Sequence, residues 1–141
     1  MLNEQVRSIM TVDPVIVAPN QNVSEVTQMM TDKRIQQVPV VENGLLVGLL
    51  TSYDLWKTSD LNDANQTVDQ IMTKNVLKIT PIDKVGTAAE LFMDKRFKTL
   101  PVVNLRNELK GVVTAFDMIK YMFSRNYEPR QTIYPDAIKD S

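Results

Sequence analysis

The chain contains no cysteine and no histidine. The first absence removes disulfides, thiolate nucleophiles and Cys-based metal sites. The second removes the commonest acid–base side chain and the commonest metal ligand. Catalysis would have to rest on Asp, Glu, Lys or Tyr, and the sequence holds no paired-carboxylate or nucleophile arrangement among them. The expectation is a protein that is not an enzyme and carries no metal. Long apolar runs are missing too. None approaches the roughly 20 residues that span a bilayer, and the N-terminal MLNEQVRSIM lacks the apolar core of a signal peptide. A soluble, cytoplasmic protein without membrane contact is expected. Neither sign of charge is in excess. With 16 basic and 17 acidic residues the net charge is −1, and the longest basic runs are the pairs Lys33-Arg34 and Lys95-Arg96. That balance argues against a nucleic-acid partner.

What is present is a tandem repeat. The 141 residues, 43% of them hydrophobic, suit one domain or two small halves sharing an interior. Val6-Arg7-Ser8-Ile9-Met10-Thr11 returns as Val68-Asp69-Gln70-Ile71-Met72-Thr73. DKRIQQVPVV, from Asp32, returns as DKRFKTLPVV, from Asp94. GLLTSYDL, from Gly48, returns as GVVTAFDM, from Gly111, after one inserted residue in the second loop. The chain divides into repeat 1 (1–57), a polar linker (58–67), repeat 2 (68–123) and a tail (124–141) that is loose or reaches a partner.

Each repeat predicts the order strand, helix, strand, strand, helix. Val15–Val17, bounded by Pro14 and Pro19, reads as a short buried strand. Asn22 is placed to cap a helix whose buried face is Val23, Val26 and Met30. Val85, Ala88, Ala89 and Phe92 do the same in the second copy. VPVV and LLVGLL are strands joined at Asn43-Gly44, with the proline marking an edge. A second helix runs from near Thr51 to near Thr58. A lone repeat buries too little surface to stand alone. Two copies packed sheet to sheet, about an approximate two-fold axis, would form two equivalent clefts. Seven of the methionines (Met10, Met29, Met30, Met72, Met93, Met118 and Met122) read as core filler. The two Lys-Arg pairs read as helix-end cations.

Thr51-Ser52-Tyr53-Asp54 and Thr114-Ala115-Phe116-Asp117 carry two readings. One is a capping box. The other is a nucleoside grip: a hydroxyl where a strand feeds a helix, then a carboxylate able to accept both hydroxyls of a ribose. The two are compatible, because a ligand can compete for the same groups.

The IMT near each start, V-P-V-V or L-P-V-V in the middle and Gly-φ-φ-Thr-x-x-Asp near each end resemble the cystathionine-β-synthase (CBS) domain pair over residues 6 to 122. The resemblance implies an α+β fold of two β-α-β-β-α repeats, pairing of modules into homodimers, and regulation by adenine nucleotides such as AMP, ADP or ATP, acting on a separate target protein. S-adenosylmethionine binding and a purely structural, oligomerising role are the alternatives. No cofactor is required. By the family pattern one cleft takes Thr51, Tyr53 and Asp54 with Val76, Leu77, Thr80, Phe97, Lys98 and Pro101. The other takes Thr114, Phe116 and Asp117 with Asp13, Val15, Ala18, Ile35, Gln36 and Pro39. Asp54 and Asp117 would hold ribose hydroxyls. Thr51 and Thr114 would face sugar or phosphate. Lys98 stands where the other cleft has Gln36-Gln37, so the first cleft is expected to bind a nucleotide more tightly.

Overall fold

A computed structural model describes residues 3–58, 63–94 and 96–126. Most of the expected tail, from 127, and part of the expected linker lie outside the described residues. Repeat 1 opens with a 3-10 turn, Val6–Ser8, and continues through α1 (Val23–Lys33), β1 (Gln37–Glu42), β2 (Leu45–Thr51) and α2 (Ser52–Trp56). Repeat 2 mirrors it with a turn at Val68–Gln70, then α3 (Val85–Phe92), β3 (Thr99–Val103), β4 (Leu109–Thr114) and α4 (Ala115–Asn126). The α+β repeat architecture is the expected one. Ser124, placed in the tail by the sequence, still belongs to α4.

Local chemistry accounts for most boundaries. The Asn22 side chain accepts from the Ser24 and Glu25 amides at 2.9 and 3.3 Å, satisfying donors that the first turn of α1 leaves open. Val23, Val26 and Met30 then bury one face. Asn43 and Gly44 both take positive φ, 54° and 82°, the conformation a two-residue hairpin turn requires. β1 and β2 pair antiparallel with a register shift at Val40/Val41, and β3 and β4 repeat this at Val102/Val103. The inserted residue of the second loop goes into a turn where Asn107 has φ 64°. Its side chain donates to the Leu46 carbonyl at 2.8 Å, and Leu109 N–H donates to Gly44 at 3.0 Å, so the two hairpin tips are joined.

Two expectations fail here. Val15–Val17 is not a strand. Val15 and Ile16 are exposed, and Val17 alone reaches β1, donating to Pro39 at 3.0 Å and accepting from Val41 at 2.9 Å. Ile79 makes the same single parallel bridge to β3. These bonds also place the missing N–H of Pro39 on the side away from β2, so the proline costs the hairpin nothing. Met93 is not core filler: it is exposed just beyond the end of α3.

The interior is exchanged between repeats. One core cluster holds the body of repeat 2 (Val85, Leu100, Val102, Val113, Met118 and Tyr121 among others) together with Val6, Ile9 and Met10 from repeat 1. The other holds the body of repeat 1 together with Val68, Ile71 and Met72 from repeat 2. Backbone bonds lock the exchange. Val6 N–H donates to Asp83 and Val85 N–H to Glu4, both at 2.8 Å; Val68 N–H donates to Gln21 and Val23 N–H to Gln66, both at 3.0 Å.

Candidate ligand-binding site

The repeated Gly-φ-φ-Thr-x-x-Asp motif and the repeated IMT motif meet across the two repeats. Thr73 and Leu49 exchange two backbone hydrogen bonds of 2.9 Å, which lays Met72 and Thr73 over Gly48. A Cβ on Gly48 would lie 2.5 Å from the Met72 sulfur and 3.0 Å from the Thr73 carbonyl, so no other residue fits without movement. The same crossing joins Thr11 to Val112 over Gly111. Each crossing ends on a carboxylate. Asp54, 2% exposed, accepts from the Thr51 amide at 3.0 Å and from the Thr73 hydroxyl at 3.1 Å to both oxygens. Lys57 Nζ lies 3.7 Å from it. Asp117 accepts from the Thr114 amide at 2.9 Å and from the Thr11 hydroxyl at 3.2 and 3.3 Å. The capping boxes are real: the Asp54 and Asp117 amides donate to the Thr51 and Thr114 hydroxyls at 3.0 and 3.1 Å.

A cavity of about 830 Å³ opens beside the first of these ties. Six of the nine residues named for the first cleft line it: Thr51, Tyr53, Val76, Leu77, Phe97 and Lys98. Asp54, Thr80 and Pro101 are not on its wall. Asp54 lies behind Thr51 and Thr73, which are. Thr80 N–H donates to Asp83 at 2.7 Å, and Pro101 is buried within β3. Gln36, expected at the second cleft, lines the first. Of the other residues named for the second cleft, Thr114 and Asp117 come together with Thr11. Asp13, Val15 and Phe116 are exposed, the Ala18 amide is held by Gln21, Ile35 packs on the repeat 1 core, and Pro39 is buried in β1.

Sequence reasoning missed Thr73 and Arg96 and set Gln37 at the second cleft, yet all three are on this cavity's wall. Gln37 Oε1 accepts from the Lys98 and Thr99 amides, both at 2.9 Å, and its Nε2 donates to the Arg96 carbonyl at 2.9 Å. One side chain of repeat 1 thereby fixes the wall of repeat 2 that carries both cations. Arg96 is not a helix-end cation, since α3 ends at Phe92; Lys95 lies outside the described residues. The signal for Gln37 was the repeat comparison, where a shorter Thr99 occupies its place.

The cations differ in availability. Arg96 forks onto Asp94, with Nη2 to Oδ2 at 2.8 Å and Nε to both oxygens at 3.2 Å. The Arg96 hydrogen bonds hold the Asp94 carboxyl below the usual aspartate range, and the same contact raises the arginine. The Lys98 amine has no ion pair among the described residues. The site therefore offers one uncommitted cation, one partly neutralised cation, two threonine hydroxyls and an aromatic edge from Tyr53 and Phe97. Among the described residues no carboxylate cluster could hold a metal, and no helix is long and apolar enough to cross a membrane.

The sequence profile of the CBS domain matches residues 6–55 and 68–124. The chain is 30% identical over 115 residues to the CBS domain-containing protein YhcV of Bacillus subtilis, covering 80% of this chain and 81% of YhcV. It spans about half or less of the length of other curated relatives that it matches, 47% of one and 25% of another. Among solved structures, the CBS domain pair of protein MJ0100, in complex with 5′-methylthioadenosine and S-adenosyl-L-methionine, superposes with a TM-score of 0.70 at 27% identity, over 84% of this chain and 99% of that one. CBSX2 of Arabidopsis thaliana, a CBS-pair protein, superposes with a TM-score of 0.80 at 24% identity, over 89% and 99% of the two chains. CBSX2 has also been solved in complex with AMP, where the likeness, at 23% identity, speaks for the fold alone. With two tandem profile matches, a shared pair fold and the reciprocal glycine–threonine–aspartate crossings, the chain belongs to the CBS domain family.

Proposed function

We propose that the chain is a regulatory, non-catalytic module that senses an adenine nucleotide in the cavity between its repeats and acts on a separate target protein. The carrying observation is the chemistry of that cavity. At about 830 Å³ it falls within the range of roughly 300–1,000 Å³ that small-molecule sites occupy. Phe97, Tyr53, Val76 and Leu77 offer apolar surface for a base. Thr51 and Thr73 offer hydroxyls for a sugar, and Lys98 and Arg96 offer charge for phosphate. The wall is shared: Thr51 and Tyr53 come from repeat 1, while Thr73, Arg96 and Lys98 come from repeat 2. A ligand bridging them bears on how the halves sit together, and it regulates only to the extent that it binds two arrangements unequally. A thermal-shift panel of AMP, ADP, ATP and S-adenosylmethionine tests the reading. A rise in Tm with AMP, ADP or ATP supports it, and no rise with any of the four sinks it. A rise with S-adenosylmethionine alone selects the alternative favoured by the MJ0100 complex.

A second copy is the proposed partner. Tyr53 and Trp56 are exposed on α2, and Phe116, Ile119 and Phe123 are exposed on α4. Repeat symmetry presents these two faces as equivalent apolar surfaces, which suits a homodimer. A purely structural role is favoured by one observation, the full commitment of both aspartates to caps and cross-ties. On that reading Asp54→Ala lowers stability by about 1 kcal/mol or more and leaves every ligand titration unmoved.

A further inference from the structure

We propose that Thr73 sets the affinity and sugar preference of the cavity by competing with the ligand for Asp54. The inference rests on the reading of the cavity as a nucleotide site. A carboxylate receives a vicinal diol by accepting one hydroxyl on each oxygen. At Asp54 that bidentate position is held by the protein itself: the Thr73 hydroxyl lies 3.1 Å from both carboxylate oxygens. Asp54 is 2% exposed. The two hydroxyl-bearing residues that donate to its carboxylate, Thr51 and Thr73, both line the cavity, while Asp54 does not. A sugar therefore reaches the carboxylate past these threonines. Thr51 is tied twice into the α2 cap and stays in place. Thr73 is the movable one. Rotation about its χ1 to another staggered position withdraws the hydroxyl, while the paired 2.9 Å backbone bonds to Leu49 hold the main chain. The residue comes from the opposite repeat, so a bound diol would replace an inter-repeat side-chain tie with its own.

The roles of competitor, direct ligand and mere scaffold predict different signs. Thr73→Val keeps the shape and removes the donor. Loss of one competing hydrogen bond should tighten AMP about three- to tenfold in calorimetric titration, although the variant melts at a lower temperature than wild type. 2′-Deoxy-AMP, lacking the diol, should gain nothing. Thr73→Ser restores the donor and should return AMP affinity toward the wild-type value. A measurement on the wild-type chain covers the case of a variant that does not fold: the Thr73 χ1 angle, read from three-bond couplings to its methyl carbon, should change on saturation with AMP and stay in place with 2′-deoxy-AMP. AMP affinity that is equal or weaker in the folded Val variant, an equal gain for the deoxy analogue, or an unchanged Thr73 χ1 angle each overturns the competition while leaving the nucleotide site intact. Failure of both wild type and variant to bind AMP overturns the site itself and the competition with it.

Discussion

Replacing Gly111 by alanine, beside the matching change at Gly48, measures how tightly the repeats cross. A Cβ at 111 would lie 2.6 Å from the Thr11 carbonyl oxygen and 3.0 Å from the Met10 sulfur. At 48 the nearest atom is the Met72 sulfur at 2.5 Å, with the Thr73 carbonyl at 3.0 Å. The sulfur belongs to a flexible side chain that can swing aside. The Thr11 oxygen belongs to the backbone and accepts from Val112 N–H at 3.0 Å, so moving it strains that bond. Overpacking costs about 1–3 kcal/mol, and a weakened backbone bond adds up to about 1 kcal/mol. Alanine returns about 0.4–1 kcal/mol by restricting the unfolded chain, and neither glycine takes a left-handed φ that alanine would resist. Gly111→Ala should therefore lose about 2–3 kcal/mol and Gly48→Ala about 1 kcal/mol. Urea unfolding with a common m-value reads the difference. Equal losses, or a larger loss at 48, would show that side-chain and backbone obstacles yield alike, and the reasoning would fail.

Lys98→Ala should weaken AMP by about tenfold or more, the value of one charge-assisted contact, while adenosine binding changes little; calorimetry with the pair of ligands reads it. Asp94→Asn should release Arg96 and tighten AMP relative to adenosine with little change in Tm, because the pair is exposed. Since the Asp94 pKa is lowered in the folded chain, the stabilisation from this pair is present above the ordinary aspartate value of about 3.9 and is lost as pH falls through the lowered one. The small Tm difference between wild type and Asp94→Asn should thus persist between pH 5 and 8 and vanish below that range. Residues 1–57 and 58–141, produced separately, should each lack cooperative unfolding and regain it when mixed, as followed by circular dichroism; cooperative melting of either piece alone would contradict the exchanged cores.

What was legible in the sequence is what short spacing controls. Asn22 as a cap, the Val23/Val26/Met30 face, the Asn43-Gly44 turn and both Thr-x-x-Asp boxes depend on atoms within a few residues of one another. The repeat also carried the pair fold. What stayed hidden depends on reach through space. Val6 and Val68 are near-identical segments facing near-identical cores, so side-chain chemistry could not say which core each would enter. Thr11 and Thr73 looked like parts of an opening motif, and only the crossings over Gly111 and Gly48 bring their hydroxyls onto Asp117 and Asp54. Arg96 was assigned to a helix end, but α3 stops at Phe92, where its apolar periodicity also stops, four residues before the arginine. Val15–Val17 had a strand's composition but, between two prolines, found a partner for one residue only.

The traded opening segments make each half dependent on the other. A polypeptide of one repeat alone would leave its own interior unfilled, and would be stable only as two molecules lending each other their opening segments. Carrying both repeats in one chain makes that loan intramolecular and removes its dependence on concentration. Within one chain the halves are free to differ, and Gln36 and Gln37 stand in one repeat where Lys98 and Thr99 stand in the other.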